Sequence, residues 1–331
     1  MRSITRTGVA ALAVGSVALA GIGGAVSAQD EDPIEVAYMS ASSANTWLQA
    51  SRAEIERVAE ENGIVVTEFD GQFDADLQTT QIQDVIAADR YDGMIMVAIA
   101  GSAVIPDLEA AADAGITIVG LNQVIGDDFT TADPQTPALA ASVMEPPLQR
   151  GERIGRLTLQ ACEGLEQCDV VYFYGIKGIP LDVAVKQGFD AVTEGTNVNI
   201  VAEGEGQYLG PDAGLAQMQD ILVATDDFDV VVGADQSMQG AELALQDAGL
   251  LDEVKIVGFG GTAYAVEAVQ DGRWFGDLFG VPATEGRLAI EALIEALDGA
   301  TPGGIDPALS VLDEGLMTAE NVDQFTAEWE S

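Results

Sequence analysis

The chain of 331 residues contains no histidine, and this absence removes several kinds of chemistry at once. Without imidazole there is no Ser-His or Cys-His nucleophile, no imidazole general base and no His-ligated metal. Basic residues are scarce as well, since 13 Lys plus Arg stand against 55 Asp plus Glu, a formal net charge of −42. Such a polyanion is repelled by phosphate backbones and anionic lipid surfaces, which argues against nucleic-acid binding.

Cysteine occurs only twice, as Cys162 and Cys168 in the segment ACEGLEQC. The spacing is not that of a Cys-x-x-Cys motif, and the chain has no further cysteine and no histidine to complete a metal site. We therefore expect a structural disulfide in an oxidising compartment, with a redox or metal-binding pair as the alternative.

Long apolar runs are also missing after the N-terminus. Residues 1–28 resemble a secretory signal, because Arg2 and Arg6 precede an apolar run from Val9 to Val26 and the triplet Val26-Ser27-Ala28 is a small-residue cleavage site. We predict cleavage after Ala28; the alternative is a retained anchor helix. No later stretch approaches 18 consecutive apolar residues.

The remaining chain alternates short β-branched runs with helical periods, which is typical of a doubly wound parallel sheet. One such series runs from Ile34 to Asn122, and after an irregular, proline-containing stretch a second begins at Arg150. The length fits about two domains. The pattern predicts two α/β halves of similar build, with a short strand at 310–312 and a last helix near 319–329.

Ligands of open α/β sheets bind beyond the carboxyl ends of the strands, so the polar residues of those loops are candidate ligand contacts. Uncharged amides, hydroxyls, a few carboxylates and aromatic rings suit a neutral polyhydroxy ligand. The candidates are Asn45, Trp47, Asn122, Gln123, Lys177, Asp182, Tyr208 and Asp235.

Most of these candidates have a structural alternative. Asn45, Asp182 and Asp235 stand where a helix begins and are suited to capping it. Trp47 is also suited to core packing and Tyr208 to the surface, and Lys177 to an ion pair with a nearby acid. The glycines of VGFGGT do not fit a phosphate-binding motif, so no cofactor, metal or catalytic residue is expected.

At this point the sequence resembles the ribose and galactose type of periplasmic substrate-binding proteins, which serve ABC importers. The resemblance rests on five segments: the opening IEVAYMSASSANTWLQASRAEIERVAEENGI, the segment YDGMIMVAIAGSAVIPDLEAAADAGITIVGLNQ, GFDAV at 188–192, VVVGADQSMQGAELALQDAGL and VKIVGFGGTAYAVEAVQDGRW. Their order and spacing carry the resemblance over nearly the whole chain after residue 28.

The resemblance implies two lobes joined by a hinge of three strands and closing over a ligand. One lobe would hold residues 34–142 plus 281–308, and the other 143–280 plus 309–331. Asn45 and Trp47 match the family's first-loop amide and aromatic residue, Asp235 matches an acid of the second lobe, and Asn122-Gln123 stands where many members have Asp-Arg. Polar family positions are replaced at Val183, Ala234, Gly260 and Gly280.

The function implied is that of an exported, monomeric, non-catalytic receptor in the periplasm or cell envelope, which passes a sugar, a polyol or a related ligand to an ABC-type membrane permease. A chemosensory receptor partner shares every one of these features. A secreted enzyme and a transcriptional repressor are weaker alternatives, because we find no catalytic constellation and no basic N-terminal helix-turn-helix. The distributed acidic residues resemble adaptation to high salt, with compositional drift as the alternative.

Overall fold

Two six-stranded sheets organise residues 33–330, the part of the chain that the computed structural model describes. The first sheet has the order β11-β5-β4-β3-β1-β2 and is parallel throughout. Its strands are β1 (Glu35–Ser40), β2 (Val65–Asp70), β3 (Gly93–Met96), β4 (Thr117–Leu121), β5 (Leu139–Val143) and β11 (Gly303–Ile305).

The second sheet has the order β12-β10-β9-β8-β6-β7 and is parallel except for the antiparallel edge strand β12. Its strands are β6 (Cys168–Tyr174), β7 (Val198–Glu205), β8 (Val230–Ala234), β9 (Lys255–Phe259), β10 (Gly276–Leu278) and β12 (Leu316–Thr318). These two sheets confirm the predicted class of two doubly wound α/β lobes.

Nine α-helices of the described residues cover the two sheets. They are α1 (Thr46–Glu61), α2 (Ala75–Ala88), α3 (Ile105–Asp113), α4 (Pro147–Ala161), α5 (Pro180–Thr193), α6 (Pro211–Ala224), α7 (Asp235–Ala248), α8 (Ala263–Gln270) and α9 (Pro282–Leu297). We call the first sheet with α1–α3 and α9 the first lobe, and the second sheet with α4–α8 the second lobe.

The central strands are apolar on both faces because helices cover both sides of each sheet. In β1, Val36 to Met39 are fully buried, and in β8 Val230 to Val232 are fully buried. This double cover explains why these strands show continuous β-branched runs rather than alternation, and it brings the carboxyl ends of β1, β3 and β4 together at one edge of the first lobe.

The chain crosses between the lobes three times, through residues 144–146, 279–281 and 306–315. Arg153 of α4 connects two of these crossings: its guanidinium lies 2.6 Å from the Glu145 carboxylate and 4.0 Å from that of Asp306. Arg153 is 4% exposed. A buried charge of this kind needs its partners, so the pairing ties the first crossing to the third.

The C-terminal region differs from the prediction. Residues 319–329 contain a 3₁₀ turn at Val322–Gln324 and otherwise irregular backbone instead of a helix, and residues 310–312 are not a strand. The apolar residues that suggested helical spacing are separate anchors: Val322 and Phe325 enter the core of the second lobe, and Trp329 lies against Gly260. Tertiary burial of these side chains overrides the local periodicity.

Cys162 follows α4 directly and Cys168 opens β6; both are fully buried, and their sulfurs lie 2.02 Å apart as a disulfide. The predicted signal segment 1–28 lies outside the described residues. None of the helices within 33–330 is long and apolar enough to cross a membrane.

Candidate functional site

A cavity opens between the two lobes, where the carboxyl ends of the strands face one another. It encloses about 800 Å³ of space, including its open mouth. Both lobes, the first two crossings and the C-terminal tail line it. The lining residues are Ala41, Asn45, Trp47, Leu48, Phe73, Val97, Asn122, Gln123, Glu145, Arg150, Ile176, Ile179, Leu181, Tyr208, Ala234, Gln236, Phe259, Gly260, Leu278, Phe279, Gly280 and Trp329. We call this space the cleft.

Five of the eight candidate residues predicted from the sequence line the cleft: Asn45, Trp47, Asn122, Gln123 and Tyr208. The other three, Lys177, Asp182 and Asp235, are not part of its lining. The geometry therefore brings together the first-lobe set and one residue of the second lobe, and their contact with a ligand stays a prediction.

Asn45 has the capping role that the sequence offered as its structural alternative, and it also makes a contact that the sequence did not predict. Its Oδ1 accepts a hydrogen bond from the Leu48 backbone N–H at 3.0 Å, so it caps α1. Its Nδ2 donates to the Tyr208 carbonyl oxygen at 3.1 Å, a bond that connects the two lobes across the cleft. The same amide thus begins a helix and joins the lobes.

Glu285, in the first turn of α9, holds two cleft residues in place. Trp47 Nε1 and Asn122 Nδ2 both donate to its Oε2, at 3.0 and 3.1 Å. Glu285 is 1% exposed, and this burial raises the pKa of its carboxyl to about 7. Gln123 donates in turn to Asn122 Oδ1 at 3.0 Å, so the amide pair and the indole form one connected network.

The Tyr208 hydroxyl donates to Asp182 Oδ1 at 2.6 Å. Asp182 also accepts from the backbone N–H groups of Gly175 and Ile176, at 3.0 and 2.9 Å. The predicted capping role is wrong, because the residue preceding α5 is Ile179 and Asp182 lies inside the first turn. Asp182 instead fixes the loop after β6 and orients the Tyr208 ring, and its burial raises the pKa of its carboxyl.

Lys177 forms the ion pair that the sequence offered as its alternative role. Its ammonium lies 2.8 Å from the Glu203 carboxylate and 4.9 Å from the centre of the Tyr174 ring. Its side chain is half exposed, so the pair contributes little to stability.

Asp235 is the first residue of α7 but does not cap the helix, because Ala234 occupies the capping position. Its Oδ2 accepts from the Thr262 N–H at 2.8 Å, and Asp277 Oδ1 accepts from the Gly261 N–H at 2.9 Å. Both carboxyls are fully buried, so Asp235 is enclosed in the second lobe and does not face the cleft.

The second oxygens of this carboxyl pair, Asp235 Oδ1 and Asp277 Oδ2, converge on Gly258. A Cβ at Gly258 would lie 2.8 and 2.4 Å from them, and neither oxygen has a hydrogen-bond partner other than the opposite carboxyl. Burial raises the pKa of both groups, and the charge of Asp235 raises that of Asp277 further. The pair therefore shares a proton, because two adjacent buried charges cannot both persist.

Sequence reasoning missed Glu145, Arg150, Glu285 and Trp329. Arg150 Nε donates to Glu145 Oε2 at 2.7 Å, and its guanidinium carbon lies 5.7 Å from the centre of the Trp47 ring. Position in the chain could have identified three of these residues. Glu145, Arg150 and Glu285 lie in or just after the crossings, and a chain that crosses between two lobes passes beside the cleft between them.

Two tryptophans fill the space beside the glycines that replace polar family positions. The Trp47 and Trp329 rings meet edge to face at 5.3 Å, and Trp329 Nε1 donates to the Gly260 carbonyl at 2.8 Å. A Cβ at Gly280 would lie 2.4 Å from the Trp47 ring. Glycine is thus required at 280 for the aromatic wall to close.

Several known proteins are similar to this chain in sequence or in fold. A ribose import binding protein from Salmonella typhimurium is 30% identical over 135 residues, a match that spans 40% of this chain and 45% of that relative, less than half of its length.

Among solved structures, an ABC transporter periplasmic solute-binding protein from Actinobacillus succinogenes with bound D-allose matches with a TM-score of 0.76 at 20% identity, covering 88% of this chain and 100% of that one. A solute-binding protein from Bacillus halodurans with bound myo-inositol matches at 0.74 and 20% identity, covering 88% and 96%. The family model of the periplasmic binding protein domain matches residues 36–301, so the chain belongs to the periplasmic binding protein domain family.

Proposed function

We propose that this protein is an exported receptor that closes its two lobes on a small neutral polyhydroxy ligand, a sugar or a polyol, and delivers it to an ABC-type membrane permease. The observation that carries the proposal is the interlobe cleft, which combines amides from the first lobe with aromatic rings and is bridged by the Asn45 to Tyr208 hydrogen bond. The ligands after which the related proteins are named or with which they were solved, ribose, D-allose and myo-inositol, support this ligand class.

The polar groups of the cleft suit hydroxyl recognition. Asn122 and Gln123 offer amide donors and acceptors, and Arg150 adds a charged donor whose charge Glu145 balances. A neutral ligand is favoured, because no charge beside the cleft is left unbalanced except that of the Glu285 carboxyl. That carboxyl already accepts hydrogen bonds from Trp47 and Asn122.

The test is a thermal-shift screen of the purified mature chain against pentoses, hexoses, polyols and inositols, followed by calorimetry on each stabilising compound. A ligand present at 1,000 times its Kd should add about 4 kcal/mol to the free energy of unfolding. The bound compound should be recovered chemically unchanged, because we propose binding without catalysis. If no member of these classes stabilises the protein, the proposed ligand class is wrong.

The proposed role also includes export and a monomeric state. A signal in residues 1–28 would direct the chain out of the cytoplasm and would be removed during export. The Cys162–Cys168 disulfide is expected to persist in that oxidising compartment. Light scattering on the eluting peak of a size-exclusion column should give the mass of one chain, and a dimer mass would contradict this part of the proposal.

A further inference from the structure

One group of polar side chains in the cleft lies near the first crossing. Asn122 and Gln123 follow β4, while Glu145 and Arg150 lie at the first crossing and its helix. Apart from Arg150 of α4, the second-lobe wall is mostly apolar and includes Ile176, Ile179, Leu181, Phe259 and Leu278, with Tyr208 and Gln236 as its other polar side chains. A ligand in this cleft therefore meets a cluster of hydrogen-bonding groups near the first crossing and a mostly apolar wall on the second lobe.

A second cavity extends this apolar side. It encloses about 570 Å³ and shares with the cleft the residues Ala41, Phe73, Gln123, Ile176, Ile179 and Leu181. Beyond them it runs between Ile99, Val124 and Phe129 of the first lobe and Pro180 of the second. Gln123 supplies its one polar side chain, and we call this space the apolar annex.

We propose that the ligand is an amphipathic carbohydrate, a sugar or polyol that carries an apolar substituent such as an O-alkyl or O-aryl group. Its hydroxyls face the amides beside the first crossing, and its apolar substituent occupies the apolar annex. This inference rests on the proposed function and narrows its ligand class.

The physical reason is the cost of burying hydroxyls without partners. A fully hydroxylated ligand that reached into the apolar annex would lose water from several hydroxyls and find Gln123 as the one polar side chain to replace it. An apolar substituent pays no such cost, and its burial is favourable in proportion to its area. The two cavities share six lining residues and are therefore neighbours, so one ligand can extend from the cleft into the apolar annex.

The experiment compares matched ligand pairs by calorimetry on the mature chain. Methyl, butyl and phenyl glycosides of pentoses and hexoses are each measured against the parent sugar. We expect affinity to rise along each series, by about fourfold for each methylene group that becomes buried. Parent sugars that bind as tightly as their glycosides, or more tightly, would overturn the inference while leaving the proposed function intact. If neither sugars nor glycosides bind, the proposed function itself fails.

Two variants test whether the apolar annex causes the preference for glycosides over their parent sugars. Ile99→Ser and Phe129→Ser change residues that line the annex but not the cleft, and Val223→Ser on α6, where the side chain is 89% exposed, is the matched control. The ratio of glycoside affinity to parent-sugar affinity should fall toward one in both annex variants and stay at the wild-type value in the control. An unchanged ratio in folded annex variants would show that the substituent binds elsewhere.

Discussion

Replacement of Asp277 by Asn should make the protein more stable at neutral pH, although it alters a fully buried polar side chain. The amide oxygen can accept from the Gly261 N–H as Asp277 Oδ1 does, at 2.9 Å. The amide nitrogen can then donate to Asp235 Oδ1, a buried oxygen that accepts no hydrogen bond from the rest of the protein. Asn thus supplies permanently the donor that the wild-type pair obtains by holding a proton.

The expected magnitude follows from proton linkage. The folded pKa of the pair is raised above the unfolded value, so between those two values the folded state binds more protons than the unfolded state. Stability therefore falls as pH rises through this window, by about 1.4 kcal/mol for each pH unit and each shared proton. The loss begins above the unfolded pKa of about 3.9 and ends at the folded pKa.

The assay is thermal unfolding of wild type and Asp277→Asn between pH 4 and pH 8. The melting temperature of the variant should exceed that of wild type by an amount that grows with pH. The exposed Asp247→Asn on α7 removes the same formal charge and should run parallel to wild type. Asp277→Ala should instead be destabilised by about 1–3 kcal/mol, because the Gly261 N–H and Asp235 lose their partners. Parallel wild-type and Asp277→Asn curves would refute the shared proton.

Four further predictions address the cleft, the disulfide, the charge and the N-terminus. Asn122→Ala should weaken ligand binding by about 1–3 kcal/mol, five- to over a hundredfold by calorimetry, whereas Asn199→Ala on β7 should not; equal affinity of both variants would place the site elsewhere. Cys162 and Cys168 should resist alkylation without reductant, and the double serine variant should lose about 2 kcal/mol of stability; two modifiable thiols in the exported protein would rule out the bond. The melting temperature should rise from 0.1 to 2 M KCl, since salt shortens the Debye length from about 10 Å at 0.1 M to about 3 Å at 1 M and screens repulsion among the acidic residues; a flat profile would contradict this. Mass analysis of the exported chain should show cleavage after Ala28, and retention of Met1 or Arg2 would refute it.

Sequence periodicity was sufficient for the architecture because the lobes are built from repeated, locally encoded units. Each β-branched run buried on both faces and each amphipathic helix shows its identity in its own residues, as β1 and α1 do. The same regularity located Asn45, Trp47, Asn122, Gln123 and Tyr208 at the cleft, because the carboxyl ends of parallel strands gather there. The C-terminal tail was predicted wrongly. Its apolar residues have the spacing of a helix, but their side chains are buried separately, in the core of the second lobe and beside the cleft.

What only the tertiary structure decided were the partners of the charged residues. Asp235 and Asp182 occupy helix starts in the sequence, and nothing local shows that Asp277, 42 positions further on, faces the first or that Tyr208 bonds the second. Glu285 contacts Trp47 and Asn122 from a helix that returns to the first lobe after the chain has built the second. The sequence alone thus determined which elements form and where their loops meet. Which side chains share the cleft depends on the crossings between the lobes. Such contacts join residues far apart in the chain, so they leave no periodic pattern in the local sequence.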